Sequence, residues 1–209
     1  MNSSIWRYDI EQNSDEWFEE KNGMFSASTA NDLLMDKSTK GYIGLINRIV
    51  EERITGSRYE NNLFKGNWAT DRGHELEPVA REDFEIRTLQ VVNLVGVVIY
   101  DDWTLCSPDG YINKKLLHQI KCPIFSTQKE YLNLLSSGKS PIATNYYKQL
   151  NFEMFVTGAD QNIFTSFHPH LKAIDITLDR DEVLIQQIIN RLGEAKIEVL
   201  KEIERIKNF

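Results

Sequence analysis

The chain has 209 residues, 41% hydrophobic and 26% charged, enough apolar side chain for one globular domain with a sizeable core. Its net charge of −7 excludes a global attraction to nucleic acid, so such a partner would have to be met by local basic groups or bound cations. The two cysteines, Cys106 and Cys122, are too few for a disulfide framework and read as reduced core thiols of a cytoplasmic protein.

The first residues lack the basic start and apolar run of a signal peptide. The most apolar run, Val91–Tyr100, contains Asn93 and is too short to cross a bilayer. No repeat, low-complexity stretch or linker divides the chain, so residues 1–209 read as a single domain.

Asn13-Ser14-Asp15-Glu16 caps a short helix that carries Trp17 and Phe18 and ends near Gly23. Ser26 or Ser28 caps a second helix through Leu34, whose exposed amides suit a phosphate. Tyr42–Ile54 reads as a helix with Ile43, Ile46, Ile49 or Val50, and Ile54 on one stripe, stopped by Gly56. Arg48, Arg53 and Arg58 read as solvated charge. Trp68–Ile86 places Leu76, Ala80 and Phe84 at four-residue spacing, with Glu77 at the polar edge; Pro78 starts this helix near Leu76 or kinks it.

Val91–Tyr100 reads as a strand buried on both faces. The runs Leu105–Ile112 and Leu116–Cys122 flank Asn113-Lys114-Lys115, a connection of hairpin length, and Pro108 ends or bends the first of them. Folding the runs together brings Asp109 near Gln119 and Lys121. Alternation sets Leu117, Gln119 and Lys121 on one face, and Leu116, His118, Ile120 and Cys122 on the other. A carboxylate, an amide and a lysine so gathered suit a divalent-metal site with a lysine poised over the substrate; they suit a surface Asp–Lys pair equally.

Thr127-Gln128-Lys129-Glu130 forms a capping box for a helix through Leu135. Ala143–Gly158 is the next helix, carrying Tyr146 and Gln149. Strands Ile163–Phe167 and Ala173–Leu178 are joined by His168-Pro169-His170, read as a loop with two solvated histidines. Asp179-x2-Glu182 caps a last amphipathic helix that reaches about Lys207.

Four of these segments, in order, carry a resemblance. Ser107-Pro108-Asp109-Gly110 followed by Gln119-Ile120-Lys121-Cys122-Pro123 resembles the SPDG…(E)xKCP signature of phage lambda-type exonucleases, the YqaJ-like viral recombinase family of the PD-(D/E)XK nuclease superfamily. Trp17-x3-Lys21-x-Gly23-x2-Ser26-Ala27-Ser28 is similar to its W-x3-R-x-G-x2-(S/T)-A-S segment. Gly73-x3-Glu77-x2-Ala80 and Tyr146-x2-Gln149 are similar to its core helix and its Y-x2-Q helix.

The resemblance implies a restriction-endonuclease-like α/β core, a mixed central β-sheet flanked by helices. It implies a Mg²⁺-dependent 5′→3′ exonuclease acting on double-stranded DNA ends in phage-type recombination. Asp109, the side chain of Gln119, the carbonyl of Ile120 and Glu77 would hold one or two Mg²⁺ ions, with Mn²⁺ able to substitute. Lys121 would orient or deprotonate the attacking water, assisted by Gln149. Lys21, Ser28 and Ser107 would hold the 5′-phosphate, with Tyr146 beside Gln149 on the DNA. A homotrimeric ring, a single-strand annealing partner, no membrane contact and a bacterial cytoplasm are implied in the same way.

Two departures stand out. Lys21 replaces Arg, so a bidentate grip becomes a point charge. Gln119 replaces Glu and brings no negative charge. Either the enzyme uses Gln naturally, or this copy carries an inactivating Glu→Gln change that traps DNA and metal uncut; the otherwise intact signature favours the second. An endonuclease of the same fold and a non-catalytic DNA-end-binding module are the competing functions.

Overall fold

The computed structural model describes residues 4–57 and 68–209. Strand β1 (Ile5–Arg7) leads to α1 (Asp15–Glu20), which Ser14 caps by accepting from the Trp17 amide at 3.2 Å. Strand β2 (Phe25–Ser26) runs through a single 3₁₀ turn, Ala27–Thr29, into the short helix α2 (Ala30–Leu33). Helix α3 (Lys40–Thr55) stops at Gly56, whose φ of 67° is the left-handed cap that favours glycine. Helix α4 (Trp68–Thr88) continues without a break through Pro78, so it does not begin near Leu76. Because proline has no amide hydrogen, the His74 carbonyl four residues back loses its helical donor.

Strands β3 (Val97–Asp101), β4 (Thr104–Cys106), β5 (Gly110–Asn113) and β6 (Leu116–Lys121) follow, then α5 (Phe125–Ser136) and α6 (Thr144–Thr157). Strands β7 (Gln161–His168) and β8 (Leu171–Asp179) and helix α7 (Glu182–Lys207) complete the chain. The strands make two mixed four-stranded sheets, ordered β1-β3-β4-β2 and β5-β6-β7-β8. Ser107-Pro108-Asp109 is where the chain leaves one sheet for the other, so the predicted strand Leu105–Ile112 is two strands with the seam between them. Asn93 and Tyr111 exchange backbone bonds of 2.8 and 2.9 Å across this seam. Helix α6 packs against β3 and β4 on one side and β7 on the other. Every residue from Leu150 to Val156 is therefore buried, polar ones included.

Several expectations change once tertiary partners are present. Only Val97–Tyr100 of the predicted Val91–Tyr100 strand is β. The preceding amides bond elsewhere: Val92 to Glu85 Oε1, Asn93 to Tyr111 and Gly96 to the Arg7 carbonyl, which leaves Val91 and Leu94 exposed. The stripe of α3 is rotated. Tyr42, Leu45, Ile46, Ile49 and Val50 face the core, while Ile43 and Ile54 are exposed.

Arg48 and Arg53 are not solvated charges. Arg48 donates to Glu52 Oε2 at 2.8 Å and to the Met24 carbonyl at 3.1 Å. Arg53 donates to the Gly23 and Asp102 carbonyls and lies 3.4 Å over the Trp103 ring. Together they anchor α3 to the loop after α1. Arg58 lies outside the described residues.

Helix α5 opens at Phe125, not at Thr127, because Gln128 is drawn inward to the Ser166 and Lys172 carbonyls. Asp181, not Asp179, caps α7 by accepting from the Val183 and Leu184 amides. His168 is buried with its ring edge-on to Phe125, and only His170 is solvated. Both cysteines are free thiols; Cys106 is buried and Cys122 half-buried.

Gly96 admits no side chain. A Cβ there would sit 2.2 Å from the Ile10 carbonyl oxygen, a backbone atom that cannot rotate away. Gly96→Ala is expected to lower stability by about 2 kcal/mol through overpacking, read as a lower urea midpoint; an unchanged midpoint would show that the amino-terminal segment shifts freely.

Candidate active site

The hairpin β5–β6 builds the centre. Gly110 pairs with His118, which sets the preceding Asp109 beside Gln119 and Ile120. Asp109 Oδ2 accepts from the Ile120 amide at 2.7 Å and from the Gln119 side-chain nitrogen. Oδ1 has no hydrogen bond among the described residues. Burial pushes Asp109 above the usual carboxylate range, against the pull of Lys121, the Ile120 amide, Arg81 and His74.

Glu77 approaches from α4, held by Arg81 one turn on at 3.1 Å. Burial first, and the Asp109 charge second, push its carboxyl up to about 7, while Arg81 and Lys121 oppose the shift. Glu77, Asp109 and His74 are common to two adjoining cavities of about 590 and 620 Å³. Tyr8, Gln12, Arg81 and Leu94 line the first, and Lys121, Tyr131, Tyr146 and Arg72 the second. Lys121 ends β6 with its ammonium 5.5 Å from the Tyr146 ring. Arg72 ties α4 to the end of that strand by donating to the Cys122 and Pro123 carbonyls.

Glu77, Asp109, Ile120, Lys121 and Tyr146 thus share one cleft. Gln119 lies just beneath it, 2% exposed, and its Oε1 is buried with no partner. Gln149 is turned towards Glu153, to which its Nε2 donates at 2.9 Å. Of the residues expected at a 5′-phosphate, Ser107 and Lys21 meet through Trp17, and Ser28 stands apart from them. Ser107 Oγ donates to the Gly96 carbonyl and accepts from the Trp17 indole at 2.7 Å. The Lys21 ammonium lies 3.6 Å over the same Trp17 ring. Ser28 is exposed, its hydroxyl 3.0 Å from that of Ser26. None of Lys21, Ser28 and Ser107 lines either cavity.

No group of three or more His, Cys, Asp or Glu able to hold a metal occurs among the described residues. Two carboxylates do face the cleft, and Gln119, whose nitrogen meets Asp109, would add its partnerless oxygen as a third hard donor once that amide turned over. That set fits an oxygen-seeking divalent ion such as Mg²⁺.

Sequence reasoning missed Glu153, although its place one helical turn from Gln149 is legible in the sequence. It is fully buried on α6 and accepts from Gln149 and from Asn162 Nδ2, each at 2.9 Å. Burial, with the Asp109 charge assisting, pushes it up to about 7 against those two amides and Lys121. His74, Arg81 and Arg72 were also passed over, since single charges on a helix carry no pattern of their own.

A helix carboxylate, a hairpin carboxylate and a strand lysine around one cleft, on this mixed α/β frame, define a PD-(D/E)XK-type nuclease fold. Residues 16–160 match the YqaJ-like viral recombinase domain, and the chain belongs to that family. It is similar in structure to an alkaline exonuclease, LHK-Exo, from Laribacter hongkongensis, with TM-score 0.81 and 28% identity over 93% of this chain and 97% of that one. The dAMP complex of LHK-Exo matches with TM-score 0.81 and 27% identity over the same shares. A phage-related exonuclease from Haemophilus somnus 129PT shares the fold, with TM-score 0.64 and 14% identity over 88% of this chain and 96% of that one. No curated protein sequence matches significantly. Among the described residues no helix is long and apolar enough to cross a membrane.

The Glu153 shift has a sign that can be measured. Its folded pKa, raised from 4.5 to about 7, gives a stability contribution present in full below pH 4.5 and lost as pH rises through 7. Glu153→Gln removes this titration. The variant is expected to exceed the parent by about 3 kcal/mol at pH 8 and to match it near pH 4.5, measured by urea unfolding. A difference independent of pH would show that Glu153 is not held in this way.

Proposed function

We propose that the chain is a metal-dependent 5′→3′ exonuclease acting on double-stranded DNA ends, slowed in this copy by Gln119. The observation that carries this reading is the convergence of Glu77, Asp109 and Lys121 on one cleft within a recombinase-family fold. The exonuclease names of the structural relatives support it.

Glu77, Asp109, the Gln119 oxygen and the Ile120 carbonyl would hold Mg²⁺, or Mn²⁺ in its place. The ion supplies Lewis-acid charge stabilisation at the phosphate and a more acidic water. Lys121 orients that water and offsets phosphate charge, with Gln149 assisting. Lys21 and Ser28 hold the terminal 5′-phosphate. Ser107 acts there through Trp17, whose ring supports the Lys21 ammonium. Tyr146 flanks Lys121 and offers a ring face to the DNA.

Gln119 weakens the site in two ways. It lacks the charge of a glutamate, and its nitrogen occupies Asp109 Oδ2. This second effect favours one other reading, a DNA-end-binding module that does not cut.

The deciding comparison is Gln119→Glu against the present chain on linear duplex with 5′-phosphate ends. The variant is expected to digest it at least about tenfold faster, to stop when EDTA removes the metal, and to slow on 5′-hydroxyl ends. Cutting of circular duplex would replace this reading with an endonuclease. End binding without cutting by either protein would leave the binding module. The family's homotrimeric ring and annealing partner belong to the same proposal. A solution mass of three times 24.3 kDa is expected, and a monomer would remove the ring.

A further inference from the structure

We propose that Glu153 is a positioning residue, whose buried carboxylate grips the side-chain amide of Gln149 and fixes which end of that amide faces the reacting groups. The inference rests on the nuclease reading for its catalytic consequence, but the grip itself stands on geometry. Glu153 is 0% exposed, and each of its oxygens accepts one amide hydrogen at 2.9 Å, Oε1 from Gln149 and Oε2 from Asn162. A carboxylate offers only acceptors. Gln149 must therefore turn its nitrogen inward, and its oxygen becomes the end left for a water proton or an ammonium.

Neither Gln149 nor Glu153 lines the two cavities, but charges that do line them reach Glu153. Lys121 and Asp109 act on Glu153 from the hairpin, Cys106 feels its charge from β4, and Asn162 faces it from β7. No salt bridge to it occurs among the described residues, so no fixed cation repays its burial.

A neutral glutamine of the same shape would be easier to bury. A glutamine at position 153 could still accept from Asn162 and donate to the oxygen of Gln149 once that half-buried amide turned over. The chain thus keeps an acid where a neutral amide would be buried at less cost and would leave the Gln149 amide free to reverse. Local rules broken without structural gain mark functional positions.

The test uses the full chain carrying Gln119→Glu, with Glu153→Gln, Glu153→Leu, Gln149→Ala and the Gln149→Ala/Glu153→Leu double variant. Initial rates on linear 5′-phosphorylated duplex give kcat and KM. Melting temperature at pH 8 and NMR hydrogen exchange of the Gln149 side-chain amide, without metal or DNA, are read alongside. Glu153→Gln is expected to melt higher than its parent yet lose about tenfold in kcat, as supporting residues of active sites do, with KM nearly unchanged. A purely structural residue would not separate these readouts. Glu153→Leu should add no loss on top of Gln149→Ala, and should speed exchange of the Gln149 amide. Unchanged kcat in both Glu153 variants would overturn the proposal, as would slow amide exchange that survives Glu153→Leu. If no protein in the set digests DNA, the nuclease reading fails, and the exchange comparison by itself supports or overturns the grip.

Discussion

The site depends on two hydrogen bonds that converge on one oxygen of Asp109. The Ile120 amide and the Gln119 side chain both donate to Oδ2. The first of these is backbone, so it is present only when the hairpin register is correct. A slip of one residue in β6 would turn Gln119 and Lys121 to the opposite face and set a different amide against the carboxylate. A hydrogen bond to a charged group is worth about 1.5–3 kcal/mol, which offsets part of the cost of holding Asp109 in a half-buried position. Fold and chemistry are thus joined at one atom: the contact that places the carboxylate also closes the turn between the two sheets.

The hairpin was legible because its signals are local. Alternation, a polar turn and Pro108 together place Asp109 opposite Gln119, and the structure puts it there. Helix α6 was legible for the same reason, with Gly158 as its left-handed stop. The misreadings share a cause, which is a partner distant in sequence. His168 looked like a loop residue until Phe125 covered it. Val91–Leu94 looked like buried strand until its amides were taken by Glu85 and Tyr111. The division into two sheets was invisible, since no residue type marks where a chain crosses from one sheet to another. Glu153 had a readable position but no readable environment, because burial on a helix packed from both sides depends on what packs there.

The charge of the chain is a poor guide to the charge of its cleft. The net −7 suggests repulsion of a polyanion. Yet Glu77, Asp109 and Glu153 are all pushed towards their neutral forms by burial. Lys121, Arg81, Arg72 and His74 stand among or beside them. The charge of the cleft is therefore set by these close neighbours and not by the chain's total.

Gly96 gives this arrangement a mechanical character. Its amide bonds to the Arg7 carbonyl, and its own carbonyl receives the Trp17 indole and the Ser107 hydroxyl. One residue without a side chain is therefore a junction for the amino-terminal strap, helix α1 and the residue two positions before Asp109. A load applied at the front of the chain, by a surface tether or a bulky fusion, would pass through this junction to the footing of the hairpin carboxylate.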